Sequence, residues 1–333
     1  MITLNLEIKN PDPILRELSP LFSSRNPGKY VYLNLPSDNN FGNPLNLTSH
    51  QNAMGITEQI LPEILQTLGI RSIMLIEPHD LSNLIHLGEL LQKTDFNGLD
   101  YLNYEPLVNE LKKLFKIART VAFDDWSDFG AAPTLWAELM REILIPSGGY
   151  HIEFIFYFGD PGTKLSTQVD EALAIISDFS KVGKVTLALD ESEIFHLWRA
   201  LNGIRTEVML PAQTIADLNR KYLSIFNAIA VSRLLIYSTS NAVLLSSDEQ
   251  FMLSRKVAET RVELGMNARQ NFIAGYSAGL AMGNSIPNCI ALGLIIFGAS
   301  GLYSRLPAVD QVQKFIKAWM EDLDKPESMF LYQ

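Results

Sequence analysis

From Ser72 to Ser247 short apolar runs rich in β-branched and aromatic residues alternate with longer stretches whose apolar residues recur at helical spacing. The runs are Ser72–Pro78 (SIMLIEP), Thr120–Trp126 (TVAFDDW), His151–Pro161 (HIEFIFYFGDP), Lys184–Asp190 (KVTLALD), Arg233–Thr239 (RLLIYST) and Asn241–Ser247 (NAVLLSS), with Tyr30–Leu35 (YVYLNL) ahead of them. Each reads as a strand. Ile56–Gly69 (ITEQILPEILQTLG) and the segments PLVNELKKLFKIA and VDEALAIISDFSKVG read as helices. Strands joined through helices predict a mainly parallel sheet covered on both faces. Only Ser240 parts RLLIYST from NAVLLSS, so these two are expected to form a bent pair or hairpin near a sheet edge. From Ala258 onward strand signals stop and helices take over. Residues 1–29 are expected to form an N-terminal arm, loosely attached over Asn10–Gly28, and residues 30–325 a single α/β domain.

Composition narrows the partners. Among 333 residues, 27 Lys and Arg face 37 Asp and Glu, a formal net charge of −10, so most of the surface repels a phosphate backbone and nucleic acid is not an expected partner. Cys289 is the only cysteine, which excludes an internal disulfide and a cysteine-cluster metal site and fits a reducing cytoplasm. The opening MITLNLEIKNPDP has no basic region followed by an apolar stretch, so no signal peptide is expected. Cys289–Leu302 is too short and glycine-rich for a membrane span of about 20 residues and reads as a buried helix.

In a parallel sheet ligands collect beyond the C-terminal strand ends, which directs attention to a few polar groups. Asp190 ends a strand run and Glu193 follows three residues later, so both carboxylates can face one side of a first helical turn. They can hold Mg²⁺ through its water shell or cap the helix as a reciprocal pair. His151 and Glu153 share a strand face, which fits a metal or phosphate environment or a half-buried polar strand start. Asp38, Asn39 and Asn40 offer acceptors and amides suited to sugar hydroxyls, or an Asx-rich turn. No strand run leads into a Gly-x-Ser-x-Gly elbow, a Walker loop or a dinucleotide Gly-x-Gly-x-x-Gly; GYSAG at Gly275–Gly279 falls where strand signals have stopped. The histidines His50, His79, His86 and His196 show no paired metal-ligand spacing.

The stretch NARQNFIAGYSAGLAMGNSIPNCIALGLIIFGASGLYSR, beginning at Asn267, resembles the signature helix of the ribokinase/PfkB carbohydrate-kinase superfamily. KVTLALDESEIFHL resembles the strand and Asn-x-x-Glu motif of that superfamily, with Asp190 in place of Asn and Glu193 retained. Together with HIEF, it also resembles motifs of the ADP-dependent branch. RLLIYSTSNAVLLSSDEQ resembles the strand pair before the nucleotide site. The resemblance covers roughly 123–319, with weaker agreement over 30–91. It implies a ribokinase-like three-layer α/β/α sandwich with a mainly parallel central sheet, the lid reduced or absent. It implies Mg²⁺ and ATP or ADP as cofactors, with Asp190, Glu193 and Glu153 as the metal-binding set and Asp38, Asn39 and Asn40 toward the sugar. Asn267, Ala268, Arg269 and Asn271 take the anion or nucleotide-binding positions, and Gln270 takes the position of the family's catalytic Asp. A homodimer is the oligomer the resemblance allows.

The departures bear on activity. An amide has no useful basicity near neutral pH, and general-base catalysis contributes about 10²–10⁴-fold, so Gln270 predicts slow or absent phosphoryl transfer. Asn267 and Arg269 replace glycines whose backbone approaches phosphate closely. Two readings follow: a pseudokinase binding a small ligand or a protein partner, or an active carbohydrate or nucleoside kinase using Asp124, Asp125 or Asp160 as a substitute base. A third, an unrelated α/β binding protein, would have a different sheet order.

Overall fold

The computed structural model describes residues 6–23, 56–58, 71–75, 83–87, 108–109, 112, 115–116, 118–124, 126, 132–148, 152–204, 215–238, 241–255, 272–273, 275–276, 279–280, 283–303 and 309–323. In chain order the strands are β1 (Glu7–Lys9), β2 (Ile56–Glu58), β3 (Arg71–Leu75), β4 (Asn83–Leu87), β5 (Ala118–Asp124), β6 (Ile152–Tyr157), β7 (Gly183–Asp190), β8 (Arg233–Tyr237), β9 (Asn241–Ser246) and β10 (Gln250–Ser254). The helices are α1 (Pro11–Ser23), α2 (Ala132–Leu139), α3 (Ser166–Phe179), α4 (Glu191–Leu201), α5 (Ile215–Ala228), α6 (Ile286–Tyr303) and α7 (Val309–Leu323).

The strands make one sheet in the order β1-β10-β9-β8-β7-β6-β5-β4-β3-β2. β4 through β8 are mutually parallel, as the alternating pattern predicts. Among the described strands β9 and β3 run against the rest. The expected pair β8–β9 is antiparallel, and β10 and β1 lie outside it. Four strands fall outside the expected runs. β2 occupies the start of a segment read as helix, while β1, β4 and β10 are each of three to five residues and carry little alternation to read.

Topology decides the faces. From β5 to β8 every crossover steps the same way across the sheet, and right-handed crossovers then place all their helices on one face. The aromatic core there joins Phe123, Phe154 and Phe156 to Trp136 and Phe179, with Val169 of α3 and Leu197 of α4. The other face holds Ile155, Tyr157, Ala188, Leu235 and Leu253 under α1, α6 and α7. Helices therefore cover both faces, giving the three layers expected. α6 is the buried helix read from Cys289–Leu302, and no helix among the described residues is long and apolar enough to cross a membrane.

The N-terminal segment is built into this fold, which corrects the expectation of a loose arm. β1 pairs in parallel with β10, Lys9 bonds Glu249 at 3.4 Å and lies over the Phe251 ring, and Leu15 and Leu18 of α1 are buried beside α6 and α7. Three apolar side chains spaced along α1 (Ile14, Leu15, Leu18) explain the docking, since this stripe has nowhere else to lose water.

Helical residues between 272 and 280 lie against α6 at backbone distance. A Cβ on Gly275 would stand 2.5 Å from the Leu292 carbonyl oxygen, and one on Gly279 would stand 2.8 Å from Cys289 Cα. Glycines four apart put this crossing on one face of the helix, and Phe272 then stacks on Tyr237 at the end of β8 with centroids 4.2 Å apart. Urea unfolding checks both points: Leu15→Ala is expected to cost about 2–5 kcal/mol by leaving a cavity, and Gly275→Val about 1–3 kcal/mol by overpacking. A Leu15→Ala variant as stable as the parent would return residues 11–23 to the status of an arm.

Candidate functional site at the carboxyl edge of the sheet

β7 sends the chain into α4 on one face, whereas α6 and α7, which follow β10, lie on the other. The crevice between such opposed connections, beyond the C-terminal strand ends, is where open α/β sheets bind ligands. Asp190, Tyr237 and Arg255 stand at this edge, on β7, on β8 and directly after β10.

Asp190 and Glu193 have a defined job. Asp190 Oδ1 accepts from the Ser192 and Glu193 backbone N–H groups and from the Ser192 hydroxyl, each at 2.8 Å. Glu193 Oε2 accepts the Asp190 N–H in return, also at 2.8 Å. The extended backbone of Asp190 (φ −78°, ψ 173°) lets the side chain reach forward over the first turn of α4. Both acidic side chains also oppose the positive end of the helix dipole. Glu193 is 5% exposed, so its carboxylate is buried against the turn that it caps.

Glu153 stands elsewhere. It pairs across the sheet with Lys184, six residues before Asp190 on the same strand (190 − 184). At about 3.3 Å per residue that is roughly 20 Å from the carboxyl edge. There it accepts from Arg233 Nη1 at 2.8 Å, both side chains largely buried. The expectation that Asp190, Glu193 and Glu153 share one metal is corrected: β6 and β7 are parallel, so the start of one strand cannot meet the end of the other. Among the described residues no cluster of three His, Cys, Asp or Glu could hold a metal ion. The residues present do not form the Mg²⁺ set that the resemblance implies. Asp38, Asn39, Asn40, Asn267, Ala268, Arg269, Gln270, Asn271, Asp125 and His151 lie outside the described residues, and Asp124 is the last residue of β5.

A pair that the sequence reading did not join lies beside the cap. Asp160, after β6, caps the short turn Pro161–Thr163 by accepting Gly162 N–H at 2.8 Å, and the same oxygen meets His196 Nδ1 of α4 at 2.6 Å. The strand-end rule flags Asp160. His196 carries only a weak signal, one helical turn after Glu193 and 36 residues from its partner. Nearby, Trp126 stacks on Phe158 with centroids 4.5 Å apart, and Lys164 Nζ lies 5.9 Å from the Trp126 ring centre.

Burial tunes two further groups. Arg255 is 4% exposed, lies over the Phe315 ring, and burial lowers its guanidinium to about 10 against the attraction of Asp322. Tyr222 of α5 is buried, and loss of water with the nearby Glu191 charge lifts its phenol to about 12.

No family model matches the chain, and no curated protein matches it in sequence. Solved structures overlay part of it. A phosphofructokinase-2 mutant from Escherichia coli gives a TM-score of 0.43 at 15% identity, covering 65% of this chain and 62% of that one. Ribokinase from Arabidopsis thaliana, complexed with ribose and ATP, gives 0.43 at 14%, covering 62% and 58%. Adenosine kinase from Sinorhizobium meliloti gives 0.42 at 15%, covering 62% and 56%. All three are kinases. The chain spans less than two thirds of the length of each.

Two outcomes follow from the site. Asp190→Ala lowers stability by about 0.5–2 kcal/mol, while Asp190→Asn, an equally good cap, changes it little. Thermal or urea unfolding reads both, and equal losses from the two variants would deny the cap. At high pH Tyr222 binds its proton more tightly when folded than the ordinary phenol near 10, so its contribution is complete below about pH 10 and lost as pH rises toward 12. Melting curves across that window should show the parent losing more stability than Tyr222→Phe.

Proposed function

We propose that this chain is a ribokinase-like carbohydrate-kinase homologue that binds a small ligand or a protein partner and has lost the machinery of phosphoryl transfer. The observation that carries the reading is the engagement of Asp190 and Glu193 in each other's backbone, with Glu153 paired to Arg233 at the far edge. Carboxylates free to take up a metal with its phosphate ligand are what direct transfer requires, and here two are spent on a helix start. The residues at the signature agree, since Gln270 supplies no base and Asn267 and Arg269 replace glycine. The net charge of −10 favours small-molecule or protein partners over nucleic acid.

A second reading, an active ATP- or ADP-dependent kinase with a substitute base, draws support from Asp160, the alternative carboxylate that stands at a strand end beside a histidine. Differential scanning fluorimetry with Mg²⁺ and ATP or ADP, followed by a turnover assay on sugars and nucleosides, separates the two. The first reading predicts no nucleotide-dependent product, and none after Gln270→Asp, because the glycines and the metal set are still missing. Product above background from the parent chain would overturn it.

A further inference from the structure

The pair beside the α4 cap has the geometry of a working base. Asp160 Oδ1 accepts a backbone N–H from Gly162, so it acts as a carboxylate acceptor, and the histidine nitrogen that meets it at 2.6 Å must carry hydrogen. A neutral ring with its proton on Nδ1 keeps its lone pair on Nε2. Among the described residues nothing hydrogen-bonds that nitrogen. The pair is reachable, with side-chain exposure of 35% for His196 and 44% for Asp160.

Three independent constraints hold it in place. The turn after β6 fixes Asp160 through the Thr163 hydroxyl, which donates to its carbonyl at 3.1 Å, and the Lys164 N–H, which donates to Pro161 O at 3.1 Å. Gly162 leaves room for the imidazole, since a Cβ there would stand 2.9 Å from His196 Nδ1. The Asp190–Glu193 cap sets the start of α4, and His196 lies one turn further along the same face. A lone pair on Nε2, with the Asp160 carboxylate behind the ring, favours a hydrogen-bond donor over an anion.

We propose that Asp160 and His196 form a base dyad at the carboxyl edge of the sheet, with His196 Nε2 taking the proton of a hydroxyl on a small polyol. The ligand O–H bond breaks as the Nε2–H bond forms, leaving an alkoxide and an imidazolium, and Asp160 is the positioning residue that fixes the tautomer and stabilises the new charge. The dyad supplies the base that the second reading needs and rests on that reading only for what the alkoxide then attacks. Its test uses neither nucleotide nor turnover, so failure of the dyad and failure of kinase activity are distinguishable.

The full chain labelled with ¹⁵N-histidine is observed by two-bond ¹H–¹⁵N correlation, well above the ordinary histidine pKa of about 6.5. His196 is expected as the Nδ1–H tautomer in the parent and as the Nε2–H tautomer in Asp160→Ala. In parallel, diethyl pyrocarbonate is added at the same pH, where the ring is unprotonated in parent and variants alike, and peptide mass spectrometry follows His196. Its Nε2 attacks the reagent carbonyl, forming an N–C bond and releasing ethanol and carbon dioxide. Carbethoxylation is expected to be several-fold faster in the parent than in Asp160→Ala, and slowed in the parent by D-ribose, D-fructose or adenosine. Asp160→Asn, which keeps the turn cap, serves as the second variant should alanine unfold the turn, and is also expected to react more slowly. An Nε2–H tautomer in the parent, or equal rates in parent and variants, would overturn the dyad. Unchanged rates with all three probes would overturn the polyol assignment.

Discussion

The reciprocal cap between Asp190 and Glu193 is the interaction on which the arrangement of the carboxyl edge depends. It ends β7, starts α4 and ties a buried acidic side chain to the Asp190 backbone N–H. An Asp at this position is worth only about 1 kcal/mol as a cap. Its consequence is positional: the start of α4 is set to within a residue, and His196 is thereby carried to Asp160. A slip of one residue would rotate the imidazole by about 100° around the helix and separate the pair.

The same carboxylates illustrate a competition between structure and chemistry. An oxygen that accepts two backbone N–H groups and a hydroxyl is already well satisfied, and a hard cation would have to displace those bonds or take the remaining lone pairs. Direct phosphoryl transfer depends on positioning and charge stabilisation far more than on covalent help from the protein. Under the function proposed above, committing these acids to capping would keep the edge for binding and weaken the transfer reaction.

Much of the fold was legible because its signals were periodic. The central strands are apolar throughout, as strands buried on both faces must be, and α6 announced itself by the same logic. The short strands β1, β2, β4 and β10 escaped, since three to five residues give no period to count and β2 begins with residues that also suit a helix. At the site the cap was readable from Asp190 and Glu193 at N-cap and N3 spacing. Glu153 held a neglected cue: it opens its strand run while Asp190 closes its own, which in a parallel sheet places them at opposite edges. The Asp160–His196 pair could not be read locally, because only the register of β6 with β7 and the pitch of α4 bring those residues together.

The central claim is that Asp190 and Glu193 serve the helix rather than a metal. Paramagnetic broadening tests it most directly, with Mn²⁺ titrated as a Mg²⁺ surrogate into ¹⁵N-labelled protein and the backbone amides of Asp190, Ser192 and Glu193 followed. The account predicts that these amides broaden no more than those of other surface acidic turns, with or without ATP. Selective broadening of the three at low Mn²⁺, and its loss in Glu193→Gln, would contradict it.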